Sequence, residues 1–167
     1  LQERGPLTEI VQAIRSVAPS PLFIKVAPDL ELSALDEVAQ VAHDEHLTGL
    51  IATNTTISRV GITGSHAGEQ GGLSGAPLRS RSNEFLAHLY RICDREMILM
   101  GVGGIFTGAD VYEKIALGAH LCQIYTGWIY GGPGSIPRIL RELAGLMERD
   151  GVQSLAELRG RGLRPPR

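Results

Sequence analysis

Cysteine is scarce in this sequence. Cys93 and Cys122 are the only two, far apart and without a second pair, so neither a disulfide framework nor a zinc ribbon is available, and a reducing compartment fits. A surplus of either charge is missing too. The formal net charge is −2 with acidic and basic residues interspersed, which excludes a basic nucleic-acid face and an acidic tail and leaves a small molecule as the expected partner. No apolar run reaches the length of a membrane span and no charged-then-apolar start resembles a signal peptide, so the chain by itself reads as soluble. An initiator methionine is also absent. The chain opens at Leu1 with Gln2 and Glu3 and enters a helical pattern at once, a start that reads as a cut.

What remains is enough for one domain: 167 residues, of which 43% are hydrophobic, can build a core. Ile10, Val11, Ile14 and Val17 recur at helical spacing after Pro6, and Pro19 with Pro21 close that segment. Leu22 to Val26 is a short apolar run that predicts a buried strand, ended by Ala27-Pro28-Asp29. Ser33 precedes Asp36 at capping-box spacing, and Leu35, Val38, Ala39 and Ala42 give a helix face running to about His46. Gly49 to Asn54 predicts a second strand. Thr55 to Gly75 has no period and is glycine-rich, a long loop of the kind that is usually functional.

The same alternation continues. Phe85, Leu86, Leu89 and Ile92 mark a helix, and Met97 to Val102 a third strand. Thr107 or Asp110 starts a short helix that stops at Gly118. Leu121 to Tyr125 is a fourth strand, leading through Gly131-Gly132-Pro133-Gly134 into a helix around Ile136 to Met147. Strands apolar on both faces and alternating with helices call for a covered parallel sheet, either open and doubly wound or part of a (β/α)₈ TIM barrel. A full barrel has eight strands and about 250 residues, and this chain supplies four. The tail from Arg159 to Arg167, with Arg161, Arg164, Pro165 and Pro166, reads as a solvated end.

In a barrel, residues just past the C-terminal ends of the strands face the active site, and here those positions are polar or glycine. They are Lys25 and Pro28, then Thr53 to Thr56, then Gly103 and Gly104, then Tyr125, Thr126 and Gly127. Gly101-Val102-Gly103-Gly104 removes side chains so that backbone N–H groups can approach an anion, with the next helix adding its dipole. Alone it is equally a tight turn. Tyr125-Thr126-Gly127, about twenty residues on, can close the same pocket, and a phosphate site shared by strands seven and eight recurs in such barrels. That numbering makes these strands five to eight.

Lys25 lies in an apolar strand, where an ammonium is costly without an anion. Three uses are open: a buried ion pair with a core carboxylate, a cation beside a flavin that becomes negative on reduction, or a Schiff-base amine. Asn54-Thr55-Thr56 is either a self-satisfied turn or an amide and hydroxyl set that reads a planar substrate with carboxylate and imide groups. Gly71-Gly72-Leu73-Ser74-Gly75 is either a hinge or a further source of N–H groups for the phosphate. His43, His46, His66, His88 and His120 are scattered and suit solvated or capping roles rather than metal ligation; Cys122 suits packing.

Five blocks, in order, carry a resemblance. They are Phe23-Ile24-Lys25-Val26-Ala27-Pro28-Asp29-Leu30, Thr53-Asn54-Thr55-Thr56 with Arg59, Gly71-Gly72-Leu73-Ser74-Gly75-Ala76-Pro77-Leu78, Gly101-Val102-Gly103-Gly104-Ile105 and Gln123-Ile124-Tyr125-Thr126-Gly127. The combination resembles the C-terminal half of dihydroorotate dehydrogenase, in its class 2, quinone-linked branch. The resemblance implies FMN-dependent oxidation of dihydroorotate to orotate in pyrimidine (UMP) synthesis, with a quinone taking the electrons. It implies that Lys25 contacts the flavin ring and Thr53 lines the FMN site, that Asn54 and Thr55 bind orotate, that Gly75, Gly104, Tyr125 and Thr126 hold the FMN phosphate with Gly103 close by, and that Ser74 is among the cofactor-binding residues.

It also implies what is elsewhere. The family's catalytic base, a serine, and its quinone and membrane contacts belong to the N-terminal half, so this chain alone is expected to be inactive and no catalytic residue is assigned to it. Ser74 matches the glycine loop, not that base. Residues 1–150 are accordingly expected to form the C-terminal half of an FMN-binding barrel and 151–167 a partly disordered extension. The whole enzyme is expected peripherally on the cytoplasmic side of a membrane. The half-barrel is expected to self-associate or to meet the missing half, because its edge strands and core face would otherwise be open. A non-catalytic FMN or phosphate-binding half-barrel and a Schiff-base aldolase-like barrel are the alternative readings.

Overall fold

A computed structural model of the chain describes residues 3–18, 20–64 and 67–163. Pro19, His66 and the terminal Arg164 to Arg167 lie outside the described residues, as do Leu1 and Gln2, so the readings placed on them stop there. The elements are α1 (Arg4–Val17), β1 (Phe23–Val26), α2 (Leu32–Asp44), β2 (Gly49–Ala52), α3 (Arg79–Ile92), β3 (Ile98–Val102), α4 (Gly108–Ala116), β4 (Leu121–Gln123), α5 (Thr126–Gly131), α6 (Ser135–Arg149) and α7 (Leu155–Leu158). Short 3₁₀ turns stand at Ala76–Leu78 and Arg161–Leu163. The four strands are parallel and ordered β1-β2-β3-β4, as successive β-α units in half of a barrel must be.

Register fixes which side chains share a face. Val26, Ala52, Gly101 and Cys122 lie in one row, and Leu50 pairs with Leu99 on the same side. This side packs on α2 and α3 through Leu35, Val38, Phe85, Leu86 and Leu89, forming one continuous core. The alternate residues Lys25, Ile51 and Met100 occupy the other side. A smaller cluster of Ile115, Leu143, Val152 and Leu158 joins α4, α6 and α7.

Several boundaries differ from the sequence expectations, each for a local reason. Helix α1 begins before Pro6, which is tolerated in a first turn, and it buries Leu7 and Val11 while Ile10 and Ile14 are exposed. Ser33 lies inside α2 and caps nothing; the N-cap is Glu31, without a side-chain bond, and the helix stops at Asp44. At α4 the expected start holds: Thr107 and Asp110 form a reciprocal capping box, and Gly118 with φ 116° follows the end. The strands end earlier than their apolar runs, so Thr53 and Asn54 lie beyond β2, and Ile124 and Tyr125 beyond β4. Thr126–Gly131 is a short helix that the glycine-rich sequence hid. The segment after α6 folds back on the body as far as Leu163, burying Val152 and Leu158. No helix among the described residues is long and apolar enough to cross a membrane.

Candidate active site at the strand ends

A cavity of about 630 Å³ opens at the C-terminal ends of the four strands. That volume lies in the range of small-molecule sites. All ten singled-out residues line it: Lys25 from β1, Thr53, Asn54 and Thr55 after β2, Ser74 and Gly75 at the end of the long loop, Gly103 and Gly104 after β3, and Tyr125 and Thr126 after β4.

The corner near Thr126 is built from three loops. Ser74 Oγ and Thr126 Oγ1 are 2.8 Å apart, joining the glycine loop to the start of α5. Gly103 and Gly104 lie past the last ladder pair of β3 and before α4, so their N–H groups belong to neither element. Gly104 has φ 70°, and a Cβ there would stand 2.4 Å from the Arg79 Cβ, so only glycine fits. A Cβ on Gly127 would come within 2.1 Å of the Ile105 carbonyl oxygen, which measures how closely the β3 and β4 loops approach. The result is a concave patch of main chain with few side chains in the way.

Support beneath this corner is ionic. Asp110 accepts from the Phe106 and Thr107 N–H groups at 2.9 and 2.8 Å and from the Thr107 hydroxyl, and it pairs with Arg79, whose guanidinium also grips Glu113. Burial would raise the Asp110 pKa, but the hydrogen bonds from Phe106 and Thr107 and the Arg79 charge outweigh it and hold the carboxyl below its ordinary value.

On the β1 and β2 side, the Asn54 N–H donates to the Val26 carbonyl at 2.7 Å, and the Thr53 N–H donates to the Val102 carbonyl at 3.1 Å. Asn54 Oδ1 accepts from the Thr55 N–H at 3.0 Å, so part of the turn reading holds, while the Asn54 side chain remains exposed to the cavity. Thr56 is not open to a ligand: its hydroxyl bonds the Asp29 carboxylate and its main chain bridges to Leu73. Lys25 corrects an expectation. It is exposed rather than buried, because the strand face it projects from is uncovered, and among the described residues no carboxylate pairs with it. Within this chain the buried ion-pair reading of Lys25 therefore finds no carboxylate partner among the described residues.

Phe106 is not singled out by the sequence, and Asp29 and Arg59, though part of its matching blocks, are given no role there. Phe106 lines the cavity immediately after Gly103-Gly104-Ile105, a position its neighbours could have flagged. Asp29 and Arg59 hold the long loop, Arg59 by donating to the carbonyls of Thr56, Ile57, Ser58, Glu69 and Gly71. Only a fold reveals that use, since an arginine in a polar loop has no periodicity to betray it. The described histidines stay apart from the site: His43 pairs with Asp94, His88 with Asp36, and His120 Nδ1 accepts from the Leu99 N–H. No cluster able to hold a metal occurs among the described residues.

Comparison with known proteins gives a consistent result. The family model described as dihydroorotate dehydrogenase matches residues 1–147. A relative from Gloeobacter violaceus named dihydroorotate dehydrogenase (quinone) is 46% identical over 162 residues, covering 96% of this chain and 46% of the relative. A protein of the same name from Myxococcus xanthus is 44% identical over 171 residues, covering 99% of this chain and 47% of its own length. The ligand-free DHODH crystal structure from Eimeria tenella superposes with a TM-score of 0.91 at 32% identity, covering 99% of this chain and 52% of that one. The chain thus spans about half the length of the curated relatives it matches.

Proposed function

The chain belongs to the dihydroorotate dehydrogenase family, and we propose that it forms the cofactor-phosphate and part of the substrate site of an FMN-dependent enzyme that oxidises dihydroorotate to orotate and passes electrons to a quinone. The observation that carries this reading is the meeting of Ser74-Gly75, Gly103-Gly104 and Thr126-Gly127 in one side-chain-poor corner of the cavity. Backbone N–H groups bared in this way suit a phosphate, and the cavity has room for a ring system beyond it.

FMN, when bound, supplies the hydride acceptor. Ser74, Gly75, Gly103, Gly104, Tyr125 and Thr126 would hold its phosphate, and Thr53 and Lys25 would lie along its ring. An unpaired ammonium at Lys25 suits a site where negative charge develops on reduction. Asn54 and Thr55 would orient the substrate's polar edge through the amide donor and the hydroxyl. The proton acceptor and the contacts with quinone and the cytoplasmic membrane surface are assigned to the other barrel half, which would also close the exposed edges of this sheet. The Schiff-base alternative is disfavoured, since the Thr53 to Thr56 block and the glycine loop, which line the same cavity, have no needed role in it.

Titrating FMN into the chain while following quenching of flavin fluorescence tests the cofactor half of the reading. Saturable binding, tighter than that of riboflavin, is expected; equal affinities would remove the phosphate site. Mixing the chain with the N-terminal half of a relative tests the catalytic half. Dihydroorotate oxidation is expected only in the mixture, and turnover by the chain alone would contradict the assignment of the base.

A non-catalytic, flavin-binding half-barrel is the second reading. What favours it is that the phosphate corner is built entirely from this chain's own loops. FMN binding without turnover, even beside an N-terminal half, would select it.

A further inference from the structure

Lys114 has no exposed surface, although it sits on a helix whose sequence gives no warning of it. Its ammonium reaches back beneath the end of β3, where Nζ donates to Ser82 Oγ at 2.5 Å and to Asn83 Oδ1 at 2.8 Å. Ser82 Oγ in turn donates to the Val102 carbonyl at 2.8 Å. That same carbonyl accepts the Thr53 N–H from the neighbouring strand end. Gly101 makes the arrangement possible, since a Cβ there would lie 3.0 Å from the Lys114 Cδ.

The buried Ser82 hydroxyl and Asn83 amide oxygen need a donor at this place, but a buried charge carries a desolvation cost and is weak evidence for stability alone. Burial indeed pulls the Lys114 pKa down to about 8, against the opposing influence of Cys122, Glu113 and Asp110 and with that of Arg79. The carbonyl that the relay fixes belongs to the peptide unit that leads into Gly103 and Gly104, two residues with positive φ and little conformational restraint of their own. A main-chain anion site works only if its N–H groups are held in place beforehand.

We propose that Lys114 is a positioning residue of the phosphate corner: through Ser82 it fixes the Val102 carbonyl, which orients the Gly103-Gly104 main chain and ties it to Thr53 on the substrate side. This rests on the phosphate-site reading above. The lysine touches neither ligand. It acts through Ser82 and the main chain, with its charge adding positive potential behind the cradle.

The test compares FMN with riboflavin, which differ by the phosphate, in binding to the full chain by fluorescence quenching. In the parent, FMN is expected to bind more tightly; no preference would overturn the phosphate reading and this inference with it. In K114M the FMN preference is expected to fall at least ~10-fold while riboflavin affinity stays within about twofold, because only the phosphate contacts depend on the cradle. A K114M chain that keeps the parental preference, or that loses both ligands equally, overturns the inference and leaves the phosphate reading standing. S82A provides the second arm should K114M not fold, since it cuts the relay while leaving the lysine on Asn83. A smaller drop in the FMN preference is expected there, and an unchanged preference would equally overturn it.

Discussion

The two faces of this sheet are made by the same four strands, and they differ sharply. On the helix side Val26, Leu50 and Ala52 have no exposure and Leu99 almost none, sealed by the aromatic and aliphatic side chains of α2 and α3. On the opposite side Lys25 and Leu121 are exposed and Ile51, Ile98 and Met100 only half buried. Parallel sheets occur almost only where both faces are covered. The contrast therefore separates what the chain stabilises for itself from what it leaves for another segment to complete.

The largest expected effect sharpens that contrast directly. Phe85 is wholly buried against the sealed face, so Phe85→Ala is expected to cost ~3–5 kcal/mol of stability through lost burial and a cavity. Ile51→Ala on the open face is expected to cost about 1 kcal/mol or less, since less area leaves the protein interior. Urea denaturation of the two variants measures both; similar losses would erase the distinction between the faces.

A second break comes from pH, again beneath the sealed face. Lys114 titrates near 8 in the folded chain against about 10.5 when unperturbed. Below the lower value it is charged in both states, and the full burial penalty is present. Between the two values the unfolded chain binds the extra proton, so this residue's contribution to stability rises with pH across the window. Across the whole window the gain is on the order of 3 kcal/mol. K114M lacks it, so the stability difference between parent and K114M should move in favour of the parent from pH 7.5 to pH 10. Parallel profiles would place the ammonium in water.

Much of the framework was legible before the structure, and the reason is physical. Short apolar runs between amphipathic helices can only be buried strands, and glycine runs at their ends are where ligands meet main chain. What escaped depended on distant partners. Lys114 reads as an ordinary solvent-facing helix lysine until Ser82 and Asn83, on another helix, are brought beneath β3. Lys25 has apolar neighbours that suit burial, but its exposure depends on a strand face that no described residue covers. The helix at Thr126–Gly131 escaped because Trp128, Ile129 and Tyr130 are all exposed and leave no apolar stripe to read.

The strand-end corner, between the two faces, allows a milder test. Gly127→Ala would put a methyl group against the Ile105 carbonyl, forcing the β3 and β4 loops apart. FMN affinity is expected to fall about tenfold, equivalent to ~1.4 kcal/mol. Gly68→Ala, where a Cβ would meet nothing within 4 Å, serves as the matched control and should leave the titration unchanged. Equal effects at both positions would show that the long loop, rather than the corner, governs binding.

The smallest effect belongs to Arg59, which holds the long loop beside the open face. Its guanidinium bonds Gly71 at 2.6 Å and Glu69 at 3.0 Å on one limb, and Thr56, Ile57 and Ser58 on the other. Removing it leaves the Thr56–Leu73 bridge and the Asp29 contacts in place, so the base of the loop stays tied. Arg59→Ala should therefore change global stability by about 1 kcal/mol or less while speeding amide exchange in residues 58–64 and 67–71, because opening there is local. Hydrogen–deuterium exchange resolves the two cases. Faster exchange spreading into β2 and β3 would mean that Arg59 supports the sheet itself. Confinement to the loop would mean that the sealed face keeps the strands in place whatever happens at the open one.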